Sequence, residues 1–125
     1  MIKPLKGSKN NTGAWGESLA AGYLESNGVK IIDRNIRTPY GEIDILGEVD
    51  AQILFVEVKT LKNRLFGDPE VAVSEVKQSH MTNSALHFLQ ENDLMDADWR
   101  IDVIAVNAAA GQQPEIKWFK NAIKG

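Results

Sequence analysis

Two acidic side chains and an amine, Asp44, Glu57 and Lys59, stand in a spacing that suits metal-assisted hydrolysis. Asp44 lies in Gly41-Glu42-Ile43-Asp44-Ile45-Leu46, and the other two close the run Ile53-Leu54-Phe55-Val56-Glu57-Val58-Lys59. Both runs read as β-strands. A reversal at Asp50-Ala51 makes them an antiparallel pair in which residue 44 faces residue 57. Side chains two apart share a face, so Glu57 and Lys59 are expected on the side carrying Asp44. Facing Cβ atoms lie roughly 4.5–5.5 Å apart, close enough for one cation to bridge the two carboxylates. At that separation the carboxylates repel by roughly 3 kcal/mol at an effective dielectric of 20. Lys59 offsets part of this, and Mg2+ or Mn2+, which prefer carboxylate and water oxygens, offset more. An ion held there polarises a phosphodiester and acidifies an attacking water. Lys59 then either orients that water or steadies charge on the phosphorane.

Positioning these groups falls to a small set of elements. A helix is expected from about Thr12, a suitable N-cap, to Asn27-Gly28, a suitable stop. Trp15, Leu19, Ala20, Tyr23 and Leu24 form its apolar arc, and Glu17 falls at the edge of that arc, facing partly inward. Strands follow at about 29–37, 42–48 and 52–60, the first two separated by the turn-forming Thr38-Pro39-Tyr40-Gly41. Asp68-Pro69-Glu70 suits a helical turn, and Ser74 caps a longer helix ending near Asn92. Trp99 to Val106 reads as a strand and Glu115 to Phe119 as an edge strand. The order α-β-β-β-α-β predicts an α/β fold, a mixed central sheet flanked by helices.

At 125 residues the chain suits one domain, expected over 11–125 behind a loose arm at 1–10. It has no cysteine, which removes disulfides and thiolate chemistry and suits a reducing cytoplasm. No apolar run approaches the roughly 20 residues that span a bilayer, and Met1 to Lys9 lacks the apolar core of a signal peptide. Net charge is −3, yet residues 1–37 hold six Lys or Arg against three acids. Phosphate binding needs a local basic surface rather than a basic total. Lys9, Arg34, Arg37, Lys62 and Arg64 are the cations that suit this role, with Lys77 on the second long helix.

Other residues carry weaker signals. Glu17 is either a third carboxylate brought over the sheet or an ordinary helix acid. Gly13 and Gly16 each cost a helix up to about 1 kcal/mol relative to Ala, which a close approach to the sheet or to a phosphate would explain. Gln78 projects into an apolar stripe, either as a satisfied amide or as a partner for the attacking water. Asp102 suits a structural role, holding Arg100 or Arg34. His80 and His87 are too far apart for a helical metal pair. Trp15, Trp99 and Trp118 read as packing residues. The motifs of serine hydrolases, P-loop enzymes and dinucleotide-binding proteins do not occur.

Several blocks run in one order along the chain: Gly13-x-x-Gly16-Glu17-x-x-Ala20, Arg34-Asn35-x-Arg37, Gly41-Glu42-Ile43-Asp44, Phe55-Val56-Glu57-Val58-Lys59-Thr60, Lys77-Gln78 and Arg100-Ile101-Asp102-Val103. Together they resemble the PD-(D/E)XK nucleases, whose core is the restriction-endonuclease-like fold. More closely they resemble the YraN family of bacterial proteins, predicted endonucleases related to archaeal Holliday-junction resolvases. The resemblance implies metal ligation by Asp44, Glu57 and the backbone carbonyl of Val58, with Lys59 catalytic and Glu17 assisting. It implies a DNA substrate, branched or otherwise structured, and a homodimer that cuts two strands. The chain departs from the family at Leu61, often basic there, and in a second helix with fewer Arg and Lys. The function expected is a Mg2+- or Mn2+-dependent DNA endonuclease. Its rivals are a non-catalytic nucleic-acid-binding or adaptor domain of the same fold, and a structural cation site.

Overall fold

Alternating apolar side chains build the centre of the molecule as a sheet covered on both faces. Leu54 and Val56 pack with Ala20, Leu24 and Ile104 on one face, while Phe55 packs with Ala85, Leu89 and Val103 on the other. The computed structural model describes residues 11–61, 73–107 and 113–123. The arm at 1–10, the turn at Asp68-Pro69-Glu70, and Lys9, Lys62 and Arg64 lie outside the described residues. The elements are α1 (Asn11–Ser26), β1 (Lys30–Thr38), β2 (Gly41–Val49), β3 (Gln52–Leu61), α2 (Glu75–Glu91), β4 (Asp98–Asn107) and β5 (Glu115–Ile123). The sheet order is β1-β2-β3-β4-β5. β3 and β4 are parallel and the other neighbours antiparallel, so the expected mixed sheet flanked by helices is present. Of the two helices, α1 lies on the Leu54 face and α2 on the Phe55 face.

Local chemistry sets the ends of these elements. α1 stops where Gly28 takes φ +90°. Val29 N donates to Leu24 O at 3.0 Å and Gly28 N to Glu25 O at 3.1 Å, the paired bonds of a Schellman cap. Asp50 and Ala51, both at positive φ, turn β2 into β3, as a two-residue hairpin with matching strand twist requires. Ser74 caps α2, its Oγ accepting from Lys77 N at 3.1 Å.

α1 is seated by a missing side chain. A Cβ on Gly16 would collide with Thr60 Oγ1 and lie 3.3 Å from Thr60 Cβ, so only glycine lets the helix approach β3 this closely. Close approach to the sheet therefore accounts for this glycine. It also rotates the buried stripe onto Gly16, Glu17, Ala20, Ala21 and Leu24. Trp15, one position off that stripe, is 42 % exposed rather than packed. Two bounds also differ from expectation. Thr12 lies inside the helix rather than at its cap, and β5 runs on to Ile123.

Asp102 is fully buried at the far end of the same face. Its carboxylate accepts from Arg100 Nε at 2.9 Å, Trp118 Nε1 at 2.8 Å and Asn121 N at 2.7 Å. Arg100 also donates to Gln52 Oε1 at 2.9 Å, which ties β3, β4 and β5 together. Buried charges persist when paired and fully hydrogen-bonded. Asp102 therefore has the structural role expected, with Arg100 rather than Arg34 as its partner.

Candidate metal centre

Alternation fails on facing positions of β1 and β2 without a shift of register, and the acidic residues gather there. Register on either side of the break is unshifted: Arg34 faces Ile45 and Ile36 faces Ile43. Ile36 and Ile43 pack on the α2 side, whereas Ile45 packs on the α1 side and Arg34 reaches Ser18 and Glu17 of α1. Both strands thus change face across the Asn35–Asp44 position, where Asn35 takes φ +54°. Asp44 and Ile45 both turn toward α1, and so do Asn35 and Arg34.

This switch brings three carboxylates together. One oxygen each from Glu17, Glu42 and Asp44 lie within 4.8 Å of one another. Glu17 is 2 % and Asp44 5 % exposed, and Glu42 is half-buried. Each pair at that distance repels by roughly 3 kcal/mol at an effective dielectric of 20. Protein donors answer part of this charge. Asn35 Nδ2 donates to Glu17 Oε1 at 2.8 Å, Val58 N donates to Asp44 Oδ2 at 2.8 Å, and Arg34 Nη2 stands 3.7 Å from Glu17 Oε1. Three carboxylates gathered this closely suit a hard divalent cation, whose preferred donors are carboxylate oxygens. The residues present therefore fit Mg2+ or Mn2+.

Asp44 also marks the fork between β2 and β3. Their paired register runs from Val49↔Gln52 to Ile45↔Val56, and its next step would set Asp44 opposite Glu57. Both strands continue past that point, and the Asp44 carboxylate takes the amide of Val58 in place of a main-chain carbonyl. Glu57 follows Ile53 and Phe55 on the α2 side, where Lys77 Nζ lies 3.2 Å from its Oε2. The two carboxylates therefore lean to different faces, with the Val58 peptide between them. That differs from the shared face expected of ideal alternation, and the break at Asn35 and Asp44 is the reason. Glu42 connects the two halves, since with Ile43, Phe55, Glu57, Met81 and Ser84 it lines a shallow depression between the sheet and α2.

The remaining residues fall into place around this fork. Lys59 is half-buried on β3, two positions beyond Glu57. Gln78 donates from Nε2 to Val73 O at 3.0 Å, a satisfied amide at the start of α2. His87 packs edge-on to Tyr40 at 6.2 Å, and His80 is exposed. Among the basic residues, Arg34 is turned inward to Glu17, Arg37 is exposed on β1, and the Lys77 side chain is half-exposed beside Glu57. Glu42 is a member of the cluster that pairing across strands does not single out. Its position two residues before Asp44 on one strand was the available signal.

Fold and site together define a mixed α/β protein with a buried carboxylate cluster at a fork in its sheet. A family model described as uncharacterised protein family UPF0102 matches residues 16–106, and the chain belongs to that family. It is 44 % identical to a UPF0102 protein of Syntrophotalea carbinolica over 110 residues, covering 88 % of this chain and 89 % of that one. It is 39 % identical to one of Geobacter sulfurreducens over 121 residues, covering 95 % and 94 %. Among solved structures, Pyrococcus furiosus SfsA in complex with Ca2+ aligns with TM-score 0.41 at 13 % identity, over 90 % of this chain and 63 % of that one. No helix of the described residues is long and apolar enough to cross a membrane.

Proposed function

We propose that the chain is a Mg2+- or Mn2+-dependent endonuclease that hydrolyses phosphodiester bonds in DNA, with branched or structured DNA as its substrate. The observation that carries this reading is the meeting of Glu17, Glu42 and Asp44 at the β2–β3 fork, with the Asp44 carboxylate on the Val58 amide. Asp44, Glu17 and Glu42 would hold the ion, with Glu57 and the Val58 carbonyl adjoining. When bound, the ion polarises the phosphodiester and lowers the pKa of a water. Lys59, on β3 beside Glu57, supplies a cation for charge that grows on the phosphorane, or orients the water that attacks it. Glu57 would join the ion's ligands in place of its ion pair with Lys77, which would leave Lys77 for a DNA phosphate. Arg37 extends the cationic surface along β1. Two copies of the chain would cut the two strands of a junction.

The test is incubation of the pure protein with junction, flap and single-stranded DNA, with Mn2+ and with EDTA. Cleavage that needs Mn2+ and is lost in Asp44→Asn and Glu57→Gln supports the reading. Cleavage that survives either substitution belongs to a contaminant and defeats it. DNA binding that persists in EDTA, is untouched by Lys59→Ala and brings no cleavage would instead favour a non-catalytic DNA-binding domain. A rise in melting temperature with Mn2+ without any effect on DNA would leave only a structural cation site.

A further inference from the structure

Asn35 sits in the middle of β1 at φ +54°, left-handed backbone that L side chains adopt rarely and asparagine more readily than most. Nothing in the sheet's connectivity asks for it. The pairs on either side, Arg34↔Ile45 and Ile36↔Ile43, keep one register, so no extra residue is accommodated. At Asn121 of β5, by contrast, a positive φ accompanies a register shift in the β4–β5 ladder. What the conformation at Asn35 does change is direction. In a regular strand consecutive side chains point to opposite faces, and only one of residues 34 and 35 could reach α1. Here both do: Asn35 Nδ2 donates to Glu17 Oε1 at 2.8 Å, and Arg34 Nη2 lies 3.7 Å from the same oxygen.

We infer that Asn35 is a positioning residue for the cation site, kept in a strained conformation so that its amide fixes the Glu17 carboxylate. This inference rests on the reading of Glu17, Glu42 and Asp44 as cation ligands. With Oε1 tied to Asn35, the Glu17 carboxylate cannot rotate freely, and it is held where the Glu42 and Asp44 oxygens lie within 4.8 Å. The amide also supplies a donor without a full charge. A second cation on the same oxygen would compete with the metal more strongly. Groups that hold metal-ligating carboxylates by hydrogen bonds typically contribute 10–100-fold to metal affinity.

The experiment is isothermal titration of Mn2+ into wild type, Asn35→Gly, Glu17→Gln and the double variant, with thermal melts of each metal-free protein. Asn35→Gly tolerates positive φ and removes only the amide, so its metal-free fold is expected to be retained. About a 10-fold or greater loss of Mn2+ affinity is expected in Asn35→Gly. No further loss is expected when that change is added to Glu17→Gln, because the amide acts through Glu17. Asn35→Gly binding Mn2+ as wild type does, while Glu17→Gln weakens it, would overturn the positioning role and leave the cation site standing. Additive losses in the double variant would overturn it too. A wild-type protein that binds no Mn2+ would remove the cation site, and this inference with it.

Discussion

The main-chain amide of Val58 donates to Oδ2 of Asp44 at 2.8 Å, at the point where β2 and β3 cease to pair. One side chain thereby closes the fork in the sheet and presents a carboxylate to Glu17 and Glu42. The same contact puts Asp44 against the peptide that follows Glu57. Carboxylate cluster and strand fork are one arrangement, and the consequences can be measured.

Asp44→Asn keeps an oxygen that can accept from Val58 and removes one of three crowded charges. The metal-free variant is expected to be more stable than wild type by about 1–3 kcal/mol, since relief of roughly 3 kcal/mol per pair at an effective dielectric of 20 outweighs a weaker hydrogen bond. Mn2+ should then no longer raise its melting temperature. Urea unfolding and thermal melts with and without Mn2+ check both halves, and a destabilised Asp44→Asn would speak against charge crowding.

Gly16→Ala should destabilise the chain by about 1–3 kcal/mol, because the new methyl meets the Thr60 side chain. Adding Thr60→Ala should recover much of that loss. Urea midpoints of the single and double variants decide it; a neutral Gly16→Ala would show that α1 shifts freely on the sheet.

The order of elements was legible because capping and turn residues stand at their ends. Ser74, Gly28 and the reversal at Asp50-Ala51 act locally, and the structure uses each as its chemistry suggests. Strand faces were legible where alternation holds, as in Leu54, Phe55 and Val56. It stops holding at Asn35 and Asp44, and there the expectation that Asp44 and Glu57 share a face fails. A positive φ in mid-strand leaves little trace in a sequence beyond an asparagine. Glu42 joins the cluster for a related reason: it carries no cross-strand signal, only its place two residues before Asp44 on one strand. The apolar character of Trp15 suggests the packed stripe, whereas the close contact of Gly16 with Thr60 turns the helix past it.

Lys77 holds Glu57 at 3.2 Å, and under the proposed function it would compete with the ion for that carboxylate. Half-exposed ion pairs of this kind are worth about 0.2–1 kcal/mol. Lys77→Met should therefore tighten Mn2+ binding by no more than roughly five-fold, while weakening binding to any DNA sequence and lowering its salt dependence. Titrations of Mn2+ and of DNA at two salt concentrations test this. Unchanged Mn2+ affinity would mean that Glu57 takes no part in holding the ion.

Asp102 is predicted to be structural alone. Asp102→Ala leaves the Arg100 guanidinium and the Trp118 and Asn121 donors without their shared acceptor, and should cost about 3–5 kcal/mol in urea unfolding. A loss below about 1 kcal/mol would contradict the view that this carboxylate locks β4 to β5.

Direct counting of bound Mn2+ by electron paramagnetic resonance tests the central claim most closely, because the free ion gives a signal that binding attenuates. Wild-type protein is expected to remove Mn2+ from that signal saturably and release it to EDTA, and Glu17→Gln and Asp44→Asn to lose most of this capacity. Wild-type protein that leaves the signal undiminished, or variants that bind as well as wild type, would contradict a cation site built from Glu17, Glu42 and Asp44.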